Sequence, residues 1–402
     1  MSIVATERAG AITAPAGFRA AAVAAGIKPG GLDLALVAAE TSCTAAAVFT
    51  RNRAQAAPVK LTREHLSRGG LRAVVVNAGC ANAATGARGE ADARETAALV
   101  AAALDCPPWE IAVASTGVIG VHLPMDELRA GVAALAQALS AGAGADAARA
   151  IMTTDTRPKQ AFAEFTLEGE RVRVAGMAKG AGMIAPNMAT LLAFFTTDAR
   201  IERSLLQRAL REAVDASLNR ITVDGDSSTN DMALVLASGA SAAREVTRGP
   251  DLRLFREALT AVAKALALMI VRDGEGATRV AEVRVEGAAS AYVADRAART
   301  IAESPLFKTA LHGGDPNWGR VLAALGRSGV HFDPDAVDIF LGDVWVCEHG
   351  QARAYDEAKA HAAITQDPCL VRVVLHQGTA SGSIWTCDFS KDYVSINAHY
   401  RS

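Results

Sequence analysis

A glycine-rich segment that leads directly into an apolar run is the most constraining feature of this sequence. Residues 179–198 read KGAGMIAPNMATLLAFFTTD, with Thr190 at the junction. The apolar residues that follow predict a buried strand over 190–197. A hydroxyl at such a junction has two targets, a substrate carbonyl or the peptide carbonyl of Ala189. Attack on Ala189 would cut the chain and give Thr190 a free α-amine, which can act as the base for its own hydroxyl.

A plain structural role is the alternative for Thr190, because threonine is β-branched and common in strands. The rest of the chain has the composition of a globular protein, since half of its 402 residues are hydrophobic. Its 41 basic and 43 acidic residues give a net charge of −2. Such a balance lacks the basic footprint of proteins that bind nucleic acid or anionic membranes. Small molecules or other subunits are therefore the expected partners.

The cysteines and the N-terminus favour a cytoplasmic protein. Six cysteines occur without a C-x-x-C pair, a spacing that indicates free thiols in a reducing compartment. No window approaches the roughly 18 continuous apolar residues of a membrane span, and the N-terminus lacks the basic-then-apolar pattern of a signal peptide. The histidines are scattered, and Cys347 with His349 forms no four-ligand set, so we expect no metal site.

Strand and helix signals alternate along the chain and predict an α/β fold. We expect a first domain over 1–278 and a smaller one over 279–402. The segments behind this prediction are strands at 71–76 and 111–114, a hairpin over 160–175, a helix stop or linker at 141–145, a long helix over 252–271 and a strand-rich tail from 370 to the end.

Four further places carry side chains that suit catalysis or binding. Residues 115–117, Ser-Thr-Gly, follow a short strand and have the hydroxyl and N–H groups of an oxyanion site; an ordinary turn is the alternative. Lys179 precedes the glycine-rich segment and suits an anionic substrate group, unless it is a solvated loop lysine. Glu275 lies between two glycines after the long helix, where a helix cap followed by a surface acid is the alternative. The polar segment 222–231 has the composition of a loop that lines a site; a plain connector is the alternative.

The whole set of motifs resembles the ornithine acetyltransferase family, the glutamate N-acetyltransferases of the cyclic arginine pathway. The resemblance covers nearly the whole chain. Its segments are Gly17–Ala20, Gly26–Lys28, Val48–Asn52, Asn77–Asn82, Ser115–Gly120, Met152–Thr156, Lys179–Asp198, Ile221–Asp226, His312–Arg320 and Ile396–Ser402.

This resemblance implies a cleavage and a set of site residues. The chain is expected to cut itself between Ala189 and Thr190, giving an α fragment of residues 1–189 and a β fragment from 190. Thr190 would be the nucleophile, and Thr116 and Gly117 would form the oxyanion hole. The implied fold is a four-layer αββα sandwich around the scission point with a smaller C-terminal α/β domain. The implied substrate contacts are Thr156, Lys179, Thr190, Glu275, Asn397 and Ser402.

The resemblance also implies an activity. Acetyl would move from N2-acetylornithine to glutamate through acetyl-Thr190, with ping-pong kinetics, no bound cofactor and two copies of each fragment. Acetyl-CoA stays open as a second acetyl donor. One alternative is a self-cleaving aminopeptidase or amidase, in which water replaces glutamate. Another is a binding protein in which Thr190 is only a strand residue.

Overall fold

Strands and helices alternate along most of the chain in the computed structural model, which describes residues 3–185 and 191–399. The strands are β1 Thr6–Glu7, β2 Phe18–Val23, β3 Leu34–Phe49, β4 Leu71–Cys80, β5 Ile111–Val118, β6 Lys159–Leu167, β7 Glu170–Lys179, β8 Leu192–Thr197, β9 Ile221–Thr222, β10 Met232–Ala237, β11 Val280–Ala288, β12 Asp338–Leu341, β13 Val344–Glu348, β14 Gln351–Ala352, β15 Cys369–Val374 and β16 Ala380–Cys387. The helices are α1 Ala57–Arg68, α2 Gly86–Leu104, α3 Met125–Ala138, α4 Gly144–Ala150, α5 Arg203–Asp215, α6 Pro250–Arg272, α7 Ala291–Ala302, α8 Pro305–Gly313, α9 Trp318–Gly326, α10 Glu357–Ile364 and α11 Lys391–Ala398.

The chain divides into two units. The first comprises Met1–Asn219 and Asp226–Ile270, and the second comprises Arg220–Gly225 and Val271–Ser402. The border therefore falls in the last turn of α6, before the division at 278 that the sequence suggests. The short segment 220–225, which contains β9, belongs to the second unit because β9 pairs with β16 there.

One long strand organises the first unit. β3 has 16 residues; its first half pairs with β2 and β4, and its second half pairs with β10. The register shifts between Ala38 and Cys43, where the two halves meet. Among the described residues the strands follow the order β1-β6-β7-β8-β10-β3-β4-β5, with β2 beside β3. One continuous series of paired strands therefore forms both β layers of the unit.

Apolar side chains on both faces of these layers build the four-layer sandwich. In β4, Val74 and Val76 belong to the cluster between the two β layers, together with Phe194 of β8. The alternate residue Val75 belongs to the cluster formed with α2 and α3, as the period of two along a strand requires. On the opposite side a Cβ added to Gly176 would meet side chains of α6. The predicted αββα arrangement is therefore confirmed.

The second unit is a smaller α/β body with its own sheet and core. Its described strands follow the order β14-β13-β12-β15-β11-β16-β9. β11 lies inside this sheet and pairs in parallel with β15 and antiparallel with β16. Inward residues Val283, Val285, Val371 and Val373 are buried with apolar residues of α7 and α10.

Three local predictions need correction. The predicted helix stop or linker at 141–145 is shorter, because α3 ends at Ala138 and α4 already begins at Gly144. The tail contains β15 and β16, as its strand-rich pattern predicts, but α11 follows β16, and the Ser390 side chain caps it by accepting from the Asp392 N–H. Residues 115–117 are not a turn, because β5 runs through them and Gly117 pairs with Gly79 of β4.

Candidate active site

The described parts of the chain contain six of the predicted site residues, namely Thr116, Gly117, Thr156, Lys179, Glu275 and Asn397. Ala189, Thr190 and Ser402 lie outside the described residues. Thr156 is exposed and follows the buried Asp155 in the segment before β6. Four of the remaining five form two hydrogen-bonded pairs, one in each unit, and the fifth, Gly117, follows Thr116 in β5.

Lys179, at the end of β7, brings two hydroxyl groups together. Its Nζ donates hydrogen bonds to Thr153 Oγ1 at 2.7 Å and to Thr116 Oγ1 at 3.2 Å. Lys179 is only 9% exposed, which excludes the alternative of a solvated loop lysine. Because the Thr116 oxygen accepts from the ammonium group, its own hydrogen stays available for a further acceptor. Two residues that the resemblance assigns to one site therefore meet.

A buried carboxylate fixes the backbone that follows Lys179. Asp155 Oδ1 accepts from Lys159 Nζ at 2.6 Å and from the Gly180 N–H at 2.7 Å. Burial by itself would raise the pKa of Asp155, but the charges of Lys179 and Lys159 and these hydrogen bonds outweigh it and lower that pKa to about 2. Asp155 is thus ionised at neutral pH and connects the Thr153 loop to the start of the glycine-rich segment.

Gly117 allows β5 to approach β4 closely. Its φ is +131°, a value that side chains rarely adopt. A Cβ added at Gly117 would lie 2.5 Å from the Gly79 carbonyl oxygen and 2.6 Å from the Cys80 nitrogen. Any side chain would therefore push apart the two strands that hold the Thr116–Gly117 backbone.

The second pair lies in the second unit. Asn397 Nδ2 donates to Glu275 Oε2 at 2.7 Å and to the Tyr393 carbonyl at 2.9 Å. Glu275 is 7% exposed, so it is not the surface acid of the alternative interpretation. Gly276 permits this approach: its φ is +68°, and a Cβ there would lie 2.6 Å from Ser390 Oγ.

The polar segment before β10 places two buried residues in the first unit. Asn230 donates from Nδ2 to the carbonyls of Ala81, at 2.6 Å, and Ser115, at 2.8 Å. Burial raises the pKa of Asp231 well above its usual range, despite hydrogen bonds from Ser228 and Thr50 and the charge of Lys179. Asp231 Oδ2 has no hydrogen-bond partner among the residues that the structure describes.

Sequence reasoning missed four of these residues as individuals: Thr153, Asp155, Lys159 and Asn230. A signal was present for three of them. Thr153 and Asp155 lie inside the Met152–Thr156 motif of the resemblance, and Asn230 lies in the polar segment 222–231. Lys159 carried no such signal, because a lysine four residues after an aspartate usually forms an exposed ion pair.

Thiols contribute little to the chemistry available here. All six cysteines are free, and five of them are buried. Burial raises the pKa of Cys43 and of Cys369 to about 12, so both stay protonated and unreactive at neutral pH. Within 3–185 and 191–399 no three His, Cys, Asp or Glu side chains are arranged to hold a metal ion. Over the same residues, no helix combines the length and apolar character needed to cross a membrane.

Solved structures provide one kind of comparison. The arginine biosynthesis bifunctional protein ArgJ of Bacillus halodurans aligns with a TM-score of 0.50 and 43% identity, over 51% of this chain and 97% of that chain. The ornithine acetyltransferase of Mycobacterium tuberculosis, solved in complex with ornithine, aligns with a TM-score of 0.43 and 50% identity, over 46% of this chain and all of that one, at 100%.

Sequence relatives cover the full length. The arginine biosynthesis bifunctional protein ArgJ of Symbiobacterium thermophilum is 52% identical over 398 residues, which is 98% of this chain and 99% of the relative. The protein of the same name from Dehalococcoides mccartyi is 47% identical over 395 residues, 97% of each. The model of the ArgJ family matches residues 19–402. This chain therefore belongs to the ArgJ family.

Proposed function

We propose that this chain is a self-cleaving glutamate N-acetyltransferase that moves acetyl from N2-acetylornithine to glutamate through acetyl-Thr190. Its family makes it a bifunctional acyltransferase of arginine biosynthesis. The proposal of cleavage and of acetyl transfer through Thr190 rests on the geometry of the candidate active site. The observation that carries it is the contact between Lys179 and Thr116, 63 positions apart in the chain. It places a buried cation beside the hydroxyl that is expected to bind an oxyanion.

The length of a solved relative supports the scission. The alignment includes 97% of the Bacillus halodurans chain but only 51% of this one. That chain is therefore about half as long as this one. Cleavage between Ala189 and Thr190 would give two fragments of about that length, residues 1–189 and 190–402. An assembly of two copies of each fragment is part of the proposal, as is a cytoplasmic location.

In the first half-reaction Thr190 Oγ bonds to the acetyl carbon of N2-acetylornithine, and the α-amine of Thr190 takes the hydroxyl proton. An α-amine has an ordinary pKa of about 7.7–8.0, which suits a base near neutral pH. The carbonyl oxygen becomes an oxyanion that accepts hydrogen bonds from Thr116 and Gly117. As the C–N bond breaks, the α-amine passes its proton to the departing ornithine nitrogen.

In the second half-reaction the neutral α-amine of glutamate attacks the acetyl ester. The Thr190 α-amine takes a proton from that nitrogen, and the same donors stabilise the second oxyanion. The ester C–O bond then breaks, the proton returns to Thr190 Oγ, and N-acetylglutamate leaves. Every bond is exchanged between a substrate and Thr190, so this scheme needs no bound cofactor; acetyl-CoA would enter as an alternative donor for the first half-reaction.

The charges of the described residues suit these substrates. Both amino acids carry a carboxylate, and Lys179 offers a buried ammonium group within the first unit. In the second unit Glu275 is an acid suited to a cationic amine. Thr156, Asn397 and Ser402 complete the proposed substrate contacts.

An assay of donors and acceptors tests the proposal. Purified protein given N2-acetylornithine and glutamate should form ornithine and N-acetylglutamate, with the parallel double-reciprocal lines of a ping-pong reaction. Acetyl-CoA in place of N2-acetylornithine tests the second donor. Acetate release at the same rate with and without glutamate would instead support the hydrolase, and absence of any acetyl product would support a binding protein.

Gly117→Ala should lower kcat by about 10²–10³-fold, the usual effect of losing one oxyanion donor. The added methyl group would overlap the backbone of Gly79 and Cys80 and move the Thr116–Gly117 backbone. Gly120→Ala is the matched control. It also has a positive φ, of +80°, but nothing lies within 4 Å of its added Cβ. Equal kcat values in the two variants would contradict the assignment of Gly117.

A further inference from the structure

The side-chain amide of Asn230 joins the strand β10 to the strand that carries Thr116. Asn230 is 6% exposed. Its Nδ2 donates at 2.6 Å to the Ala81 carbonyl, just after β4, and at 2.8 Å to the Ser115 carbonyl in β5. Both N–H groups of the amide are therefore used, one on the residue after β4 and the other inside β5.

The orientation of this amide is set by its neighbour. Thr229 Oγ1 donates to Asn230 Oδ1 at 2.6 Å, so the oxygen and nitrogen of the amide have distinct partners. The Asn230 N–H in turn donates to Ser228 Oγ at 3.1 Å. The two bonds from Nδ2 are buried, and they favour one geometry because a rotation of the amide would take both N–H groups away from their carbonyls.

The two carbonyls lie beside the proposed oxyanion site. The Ser115 carbonyl belongs to the peptide unit that precedes Thr116. The Ala81 N–H donates to the Val118 carbonyl at 3.0 Å, on the other side of Gly117. Asn230 thus holds the backbone on one side of Thr116. It also holds Ala81, whose N–H is bonded to the backbone just after Gly117.

Asn230 is also connected to the start of β8, because β10 begins two positions after it and is bonded to the residue before β8. Met232, two positions after Asn230, donates its N–H to the Leu191 carbonyl at 3.0 Å. Leu191 is the residue after Thr190 in the sequence. One side chain therefore links β5 to the segment before β10, and β10 is bonded in turn to Leu191, the residue that follows the proposed nucleophile in the sequence.

We propose that Asn230 is a positioning residue that sets the distance between the Thr116–Gly117 donors and the strand pair that begins beside Thr190. The proposal rests on the proposed acetyl transfer. Oxyanion donors act only when they are held where the charge develops, and a shift of about 1 Å in a reacting group can cost about 10²-fold in rate. Because both half-reactions pass through an oxyanion, a misplaced donor should slow both.

Asn230→Asp tests this role. It keeps the size of the side chain but puts one carboxylate oxygen in place of Nδ2, facing the two carbonyl oxygens that Nδ2 held. We expect kcat per folded active site to fall by about 10²-fold, with KM for N2-acetylornithine and for glutamate unchanged and with both half-reactions slowed alike. A merely structural role would lower the yield of folded protein and leave kcat per active site unchanged. Active sites are counted by mass spectrometry of the acetylated fragment.

Asn82→Asp is the matched control. Asn82 is fully buried, donates from Nδ2 to the Gly89 carbonyl at 2.9 Å and accepts from Thr85 Oγ1 at 2.7 Å. Like Asn230, it donates from Nδ2 to a backbone carbonyl and accepts at Oδ1 from a threonine hydroxyl, but it holds one carbonyl, in α2, instead of two. This variant should keep kcat per active site within about threefold, because a lost neutral hydrogen bond mainly costs stability.

The outcomes separate the two proposals. Wild-type protein without acetyl transfer would refute the proposed function, whereas active wild type with an Asn230→Asp variant of equal kcat would refute the role of Asn230. If Asn230→Asp is not folded or not cut, Thr229→Val decides, since it removes only the hydroxyl that orients the amide. A fall in kcat of about three- to tenfold at constant KM supports positioning, and an unchanged kcat overturns it.

Discussion

Thr190→Ala is expected to give an uncut chain without acetyltransferase activity. The substitution removes the only hydroxyl of the residue that is proposed both to attack the Ala189 carbonyl and to accept the acetyl group. Without scission there is also no α-amine at position 190 to act as the base. A denaturing gel should show one band near 41.6 kDa where wild type shows two smaller fragments, and product formation should fall to background.

Thr196→Ala is the control for this variant. Thr196 is a buried threonine in β8, a few positions further along the sequence, and its Oγ1 donates to the Ile12 carbonyl at 2.7 Å. Losing that hydrogen bond should cost about 1 kcal/mol of stability but leave cleavage and acetyl transfer intact. If Thr190→Ala is cut or active, the assignment of the nucleophile is wrong.

Asp155→Asn should destabilise the first unit by about 3–5 kcal/mol, the usual cost of removing one partner of a buried ion pair. The side chains of Asp155 and Lys159 are both 0% exposed, with Nζ and Oδ1 2.6 Å apart. The variant takes the carboxylate away from Lys159 and weakens the hydrogen bond to the Gly180 N–H. Urea unfolding in the uncut Thr190→Ala background measures the change on a single chain.

Asp146→Asn separates burial from pairing. Asp146 and Arg149 are also 2.6 Å apart, but their side chains are 48% and 59% exposed, so losing that pair should cost at most about 1 kcal/mol. Equal losses in the two variants would contradict the account of Asp155.

The Asp155 pair also predicts a pH dependence. The folded-state pKa of Asp155 is about 2, below its ordinary 3.8, so the unfolded chain binds a proton here before the folded chain does. The stabilisation is present above pH 3.8 and is lost as pH falls towards 2. This contribution should be missing from the stability profile of Asp155→Asn.

Local pattern was enough to predict much of the secondary structure. Continuous apolar residues identified β4 and β8, and alternation about Gly169 identified the β6–β7 hairpin. The helix α11 was missed because Val394 and Ile396 are β-branched and favour strands in isolation. Its helical form depends on the Ser390 cap and on contact with Gly276, which lies far away in the sequence.

In the candidate site too, local sequence predicts some features, and others depend on contacts between distant parts of the chain. Local pattern and the resemblance both pointed to Thr116 and Lys179, but their contact depends on the ends of β5 and β7, which no local pattern brings together. The charge state of Asp155 depends on how deeply it is buried between two lysines. Asn230 looked like one polar residue among many in a loop, because its two carbonyl partners, Ala81 and Ser115, are more than a hundred positions away in sequence.

The most direct test of acetyl transfer through a self-generated N-terminal threonine is the intact mass of the two fragments before and after incubation with N2-acetylornithine alone. We expect a C-terminal fragment that begins Thr-Leu-Leu-Ala, gains one acetyl group at Thr190, and loses it when glutamate is added. An active preparation that lacks this fragment, or that carries the acetyl group on another residue, would contradict the account.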